Sequence, residues 1–411
     1  MLSRRDFLKR SSLLAVAPFV PGFVARTAQA APHGKDTILV LIELTGGNDG
    51  LNTVIPYADD AYHKARPTLA ISKSQALKID DHIGLHPAMT GLHQLFQKQA
   101  LAVVQGVGYP NPDRSHFESM DRWQAGVATV PKGDASGWLA RSVPFLAKGD
   151  GVPVMHVGSE KLPLACRGTI QGVFTLNQEQ PFEMRLGPPG SDQEKARKKL
   201  LADVSGTAPA DTDTVLPFVQ RRHLQTYASL ETLKEVLNKQ GNAAQQYGQP
   251  ANSLFGKLAL ITSLIEKGFG TRVFYTAIDG FDTHSGQAQT HQQLLQQVSD
   301  SINFLFQRLQ PSGDDKRVLV MTFSEFGRRT FENGSKGTDH GAASCVLVAG
   351  PAVKAGAVGQ HPSLTNLDDG DIKHHTDFRR VYATLLDKWL FCDSKAVLNG
   401  EFEHVELLQK T

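Results

Sequence analysis

The chain has 411 residues, 20% of them charged and 40% hydrophobic, an ordinary globular composition long enough for one large or two modest domains. A formal net charge of +2 excludes the strong field that draws nucleic acid, so no nucleic-acid partner is expected. The cysteines, Cys166, Cys345 and Cys392, stand at no CxxC or metal-type spacing; the reading favours core thiols over one disulfide plus a free thiol.

The chain opens on "SRRDFLKRSS", the apolar "LLAVAPFVPGFVA" and "RTAQA". That is a basic region, a hydrophobic region and a small-x-small cleavage site before Ala31. The pair Arg4-Arg5 predicts a twin-arginine signal over residues 1–30. A periplasmic or secreted location follows, with the twin-arginine translocase as partner during export. Pro18, Pro21 and Gly22 interrupt the apolar stretch, which falls short of the roughly 20 residues of a spanning helix. No stable membrane span is therefore expected after cleavage.

Strand and helix patterns then alternate. "TILVLIEL" (37–44) reads as a buried strand closed by Gly46-Gly47. A helical pattern over 86–99 leads to a second strand, "LAVVQGVG" (101–108), and residues 110–124 form a turn that feeds a helix. "VPVMHVG" (152–158) is a third strand, and "GTIQGVFTL" (168–176) has the pattern of an edge strand. Residues 177–270 change character: a loop, a long amphipathic helix at 218–239, a Gln/Asn-rich linker and a helix at 253–268 suggest a helical insertion or cover. Strands return at 271–278, 317–323 and 343–350, with helices at 287–309 and 376–390. The alternation predicts an α/β fold, a doubly wound, mostly parallel sheet sandwiched by helices. Ligands bind such sheets beyond the carboxyl ends of the strands.

The residues at those ends repeat a theme. Asn48 and Asp49 follow the first strand, Arg114, Ser115 and His116 the second. Asp279, Asp282 and His284 follow the strand at 271–278, with His291 two turns into the next helix. Glu325, Arg328 and Arg329 come after "RVLVMTF", and Asp339 and His340 lead into "ASCVLVAG". Taken singly, each has a plainer reading. Asp49 is more often a turn or capping residue. "SHFE" is a complete capping box, with Ser115 as N-cap and Glu118 three residues on. Glu325 can pair with Arg328 or Arg329. Together they predict one shared site. Mixed Asp, Glu and His donors suit zinc, manganese or iron, and several carboxylates allow two divalent metals. Ser115, at a helix N-terminus, is a candidate nucleophile, and Arg114 or Arg328 would hold non-bridging oxygens.

The ordered set "GGNDGLN", "RSHFESMDRWQ", "DGFDTH", "SEFGRR" and "GTDHG" resembles the exported bacterial family catalogued as domain of unknown function fifteen-oh-one. That family is grouped with the alkaline-phosphatase-like superfamily of phosphatases and sulfatases. The resemblance implies a single alkaline-phosphatase-like domain over 31–411, with one or two divalent ions, zinc or manganese. One would be held by Asp49 and Glu325 beside Ser115, the other by Asp282, His284 and His340; Asp279 or His291 would supply a missing ligand. Phe326 stands where the superfamily offers an imidazole. The implied activity is hydrolysis of phosphate or sulfate esters, of small molecules or polymers. The alternative is a non-catalytic periplasmic binding or assembly protein that retains the fold.

Overall fold

The computed structural model describes residues 36–130, 136–146, 152–159, 161–168, 173–176, 192 and 248–409. The signal segment 1–30, the helix expected at 218–239 and most of the 177–270 insertion lie outside the described residues.

All seven side chains of β1 (Ile38–Leu44) are buried. A strand buried on both faces belongs in the middle of a covered sheet, and β1 is central. β2 (Leu101–Gly108), β3 (Val154–Val157), β4 (Phe174–Leu176), β5 (Val273–Ile278), β6 (Val318–Phe323), β7 (Ser344–Ala349) and β8 (Gly356–Val358) complete the row β8-β2-β7-β6-β1-β5-β3-β4. The short β9 (Thr376–Asp377) also pairs with β2. β1 runs parallel to β5, with Leu39 opposite Val273, and to β6, with Glu43 opposite Phe323. β7 alone is antiparallel to its neighbours β6 and β2. The expected mostly parallel sheet is therefore present; the reversal of β7 is a departure that hydrophobic periodicity does not register.

Alternation along β1 feeds two cores. Ile38, Val40, Ile42 and Leu44 enter one face and Leu39 and Leu41 the other. On the first face lie α1 (Thr90–Gln97), α4 (Leu254–Glu266) and α5 (Gln287–Leu309). On the second lie α2 (His116–Ala125), α3 (Trp138–Leu146) and α6 (Phe378–Leu385). Helices on both faces make the sheet doubly wound. α4 corrects the boundary drawn at 270: its residues are buried nearly all round and pack against α5, so it is a core helix rather than part of a cover. α3 carries Pro144 inside it and was not expected. A small three-stranded sheet (54–55, 77–78 and 84–85) sits beside a third apolar cluster around Tyr62. Cys166 and Cys345 form no disulfide, and burial pushes their thiols up to about 12.

Strands β1, β2, β5 and β6 end on one edge of the sheet. Because β7 runs the other way, the chain just before it reaches that same edge. Four loops thus meet there, those after β1, β2, β5 and β6, the last of them running on into β7.

Candidate metal centre

The exit from β1 is built on two glycines. Gly46 (φ +117°) and Gly47 (φ +75°) hold conformations that side chains disfavour, and there is no room for one. A Cβ on Gly46 would lie 2.4 Å from the Asp282 amide nitrogen; one on Gly47, 2.3 Å from the Phe326 ring. The turn therefore packs directly on the loops after β5 and β6.

Asp49 follows, fully buried, and the cation that meets it is Arg66. Arg66 Nη1 donates to Asp49 Oδ2 at 2.6 Å and Nη2 to Oδ1 at 3.1 Å, and both side chains are sealed from solvent. Gln287 Nε2 adds a third bond to Oδ2. Burial alone would raise the carboxyl's pKa; the guanidinium outweighs it and holds the group at about 2. With both oxygens engaged by protein donors, Asp49 is a structural anion here, a different role from the metal ligand expected. His291, the proposed spare ligand, donates its Nε2–H to Asn48 Oδ1 (2.9 Å) on this same buried network.

Three imidazoles converge elsewhere on the edge. His116 begins α2, His284 follows β5 and His340 precedes β7. Their Nε2 atoms face the Asp282 carboxylate at 3.6, 3.1 and 3.2 Å respectively, and the His284 and His340 Nε2 atoms are 2.9 Å apart. Each Nδ1 has its own acceptor: Glu325 Oε1 for His116 (2.7 Å), Asp339 Oδ1 for His284 (3.0 Å) and the Arg114 carbonyl for His340 (2.9 Å). Carboxylates and a carbonyl accept, so each Nδ1 carries the hydrogen and each Nε2, in the neutral ring, presents a lone pair. Three lone pairs and a carboxylate pointing at one another repel; the Arg328 guanidinium offsets part of this, 2.6 Å from Asp282 Oδ1 and 3.5 Å from His284 Nε2, and a cation between the rings would offset the rest. His116 Nε2 is buried and has no hydrogen-bond partner among the described residues. A proton relieves one such pair; a metal ion would relieve several at once, and imidazoles fixed by carboxylate or carbonyl acceptors are the usual outer layer of a metal site. Among the described residues, the donor atoms of His116, Asp282 and His340 all lie within 4.8 Å of one another.

Arg328 holds this arrangement together. Wholly buried, it donates to the carbonyls of Gly46, Gly47 (2.6 Å), Phe281 (3.1 Å) and Thr338 (2.8 Å) and to Asp282 Oδ1 (2.6 Å). Its N–H groups are committed to protein acceptors, so it does not serve as the oxyanion clamp expected of it. Burial would raise the Asp282 carboxyl, but Arg328 outweighs it and lowers the pKa. Hydrogen bonding to Glu325 raises the pKa of His116, whereas burial lowers that of His340. Arg114 likewise reaches acids rather than a free anion site: Nε to Asp371 Oδ2 at 2.8 Å and Nη2 to Asp369 Oδ2 at 3.0 Å.

Glu325 accepts from the Gly46 amide (2.9 Å) and from His116, which makes it a partner of the histidine layer instead of a fellow ligand of Asp49. Asp339 is placed similarly, behind His284. Asp279 is exposed and bonds the next amide, Gly280, at 2.7 Å, away from the cluster. Phe326 lies 4.9 Å from both the His116 and His340 ring centres, an apolar wall under the imidazoles. Ser115 is the N-cap residue of α2 by backbone position, yet its hydroxyl makes no capping bond, contrary to the capping-box reading. Of the two ligand sets that the resemblance implies, the structure assembles the one containing Asp282, His284 and His340 and adds His116 to it. The sequence masks His116, because "SHFE" is explained by a cap; an imidazole one residue into a helix at a strand's carboxyl edge is the available signal.

Sheet, loops and histidines define an α/β protein with a four-donor cluster at the carboxyl edge of its parallel strands. The chain belongs to the family described as protein of unknown function (DUF1501), which it matches over residues 171–399, more than half its length. Among solved structures it is similar to a sulfatase, PsFucS1 from Pseudoalteromonas sp., at 9% identity and a TM-score of 0.39, over 97% of this chain and 74% of that one. It is also similar to an alkaline phosphatase superfamily protein from Vibrio parahaemolyticus (8%, TM-score 0.31, 81% and 69%) and to the lipoteichoic acid synthase LtaP from Listeria monocytogenes (7%, 0.33, 82% and 73%). No curated protein matches the chain.

Proposed function

We propose that the protein is an exported hydrolase of phosphate or sulfate esters that uses one divalent metal, zinc before manganese. His116, His284 and His340, through Nε2, and Asp282 would hold the ion; a set rich in imidazole favours zinc. The observation that carries the reading is the convergence of three Nε2 lone pairs whose Nδ1 atoms are each tied to an acceptor. The motif set read from the sequence supports the ester class. When bound, the metal supplies Lewis acidity to an ester oxygen.

The chain's own residues do the rest. Asp282 stays anionic beside Arg328, and Glu325, Asp339 and the Arg114 carbonyl keep the three rings turned with Nε2 inward. Ser115, whose hydroxyl is not spent on a cap, is the nucleophile in this reading, next to the amino end of the ten-residue helix α2. Its Oγ forms the bond to phosphorus or sulfur and the bond to the alcohol oxygen breaks. The proton lost by the hydroxyl is balanced by the one the departing alcohol gains. Water then releases phosphate or sulfate and restores Ser115. Export by the twin-arginine route completes the proposal; among the described residues no helix is long and apolar enough to cross a membrane.

Tag-free mature protein assayed against phosphate and sulfate ester panels tests the reading. Turnover that disappears in Ser115→Ala and on chelation is expected. Metal-bound protein that turns over no ester would favour the binding-protein alternative. The amino terminus of protein recovered from the periplasm should be Ala31.

A further inference from the structure

The His116 side of the cluster opens into a cavity of about 620 Å³, lined in part by His116 and Glu325. That volume is the size of a small-molecule site. Two features of its lining are unlike the rest of the edge. The first is aromatic: Phe117, directly after His116 in the first turn of α2, is 84% exposed, with Met120 and Leu164 also on the cavity. A ring left in water beside the histidine cluster gains free energy on being covered by an apolar partner. The second is cationic. Lys161 and Arg167 both line the cavity and are exposed, with the acids Asp121 and Glu325 elsewhere on its lining. Arg167 is held by Nε and Nη2 on the Leu162 carbonyl, and its Nη1 makes no hydrogen bond among the described residues. An arginine fixed on one side and open on the other is prepared for an anion.

We propose that this cavity receives the alcohol part of the ester and selects one that carries a flat or apolar ring together with a second anionic group. Phe117 stacks on the ring, and Lys161 and Arg167 meet the second charge. For the reaction the inference rests on the hydrolase reading above; for binding it stands apart.

The test compares phenyl phosphate with 4-carboxyphenyl phosphate, and the matching sulfates, by both kcat/KM and calorimetric binding to the metal-loaded protein. The carboxylated member of each pair is expected to be preferred by about tenfold, equivalent to roughly 1.4 kcal/mol. The preference should fall toward unity in Lys161→Met/Arg167→Met, while Phe117→Ala weakens both members of the pair. Equal binding of the two members by the wild-type protein, or a preference that survives the double variant, overturns the proposal. Absence of turnover with the binding preference intact rejects the hydrolase reading and leaves this subsite standing.

Discussion

Arg66 grips Asp49 through two hydrogen bonds, 2.6 and 3.1 Å long, at a place where neither side chain meets solvent. The residues are 17 apart in sequence, and Arg66 also reaches the carbonyls of Arg329 (2.8 Å) and Thr330 (2.6 Å). The pair therefore ties the β1 exit to the loop after β6. Breaking a buried pair from one side strands a charge and costs about 3–5 kcal/mol. Arg66→Met should lower unfolding stability by that amount in urea titration. Asp49→Asn, which keeps the shape and removes the charge, should keep its metal while losing stability.

The same pair gives a signature in acid. The Asp49 carboxyl is held at about 2, below its ordinary 3.8. A depressed acid stabilises the fold above its unfolded pKa, and that contribution is lost as pH falls through the folded value. Between about pH 4 and pH 2 the protein should lose roughly 2–3 kcal/mol from this group. Urea melts across the window should show the slope in the wild type and a shallower one in Asp49→Asn.

Glu43 predicts the opposite slope. Burial, with the Glu325 charge adding to it, raises its carboxyl to about 7 even though Tyr275, Thr45 and Gln124 all donate to it. A raised acid favours the fold below its unfolded pKa of about 4.5, and that stability is lost as pH rises through 7. The loss is on the order of 3 kcal/mol. Glu43→Gln should flatten the dependence between pH 5 and pH 8; an unchanged slope in that variant would mean that Glu43 is not its source.

The outer acceptors should govern metal affinity without touching the ion. Asp339→Asn leaves His284 Nδ1 without its carboxylate, and Glu325→Gln does the same to His116. Each should weaken metal binding by about 10–100-fold with near-native circular dichroism. Affinity unchanged in both would show that the rings are not oriented through these bonds.

Gly47→Ala brings a Cβ 2.3 Å from the buried Phe326 ring at a backbone φ of +75°. Strain and clash together should cost at least about 2 kcal/mol. Phe326→Leu should recover part of the loss in the double variant, through the clash alone.

Much of the framework was legible in the sequence because burial on both faces writes strands as short aliphatic runs. β1, β2, β5, β6 and β7 lie where those runs lie, and α5 spans the 287–309 pattern. Strand direction leaves no such trace, so β7 gave no hint that it runs backward, although its reversal is what delivers His340 to the edge. Proline hid α3, and high polarity around it hid the partner of Asp49: nothing local distinguishes Arg66 from a surface arginine. The carboxylates and imidazoles of the edge were visible as residue types. Their division into a structural anion, a donor cluster and an outer layer of acceptors depends on contacts between loops up to nearly 300 residues apart, such as Gly46 with Glu325.

Metal content decides the central claim. Mature protein purified without a tag should hold about one divalent transition ion per chain by elemental analysis. His116→Ala and His340→Ala should lose most of it, and Asp49→Asn should retain it. Natively folded wild-type protein free of metal and unable to take up zinc or manganese, or histidine variants loaded as fully as the wild type, would contradict the account.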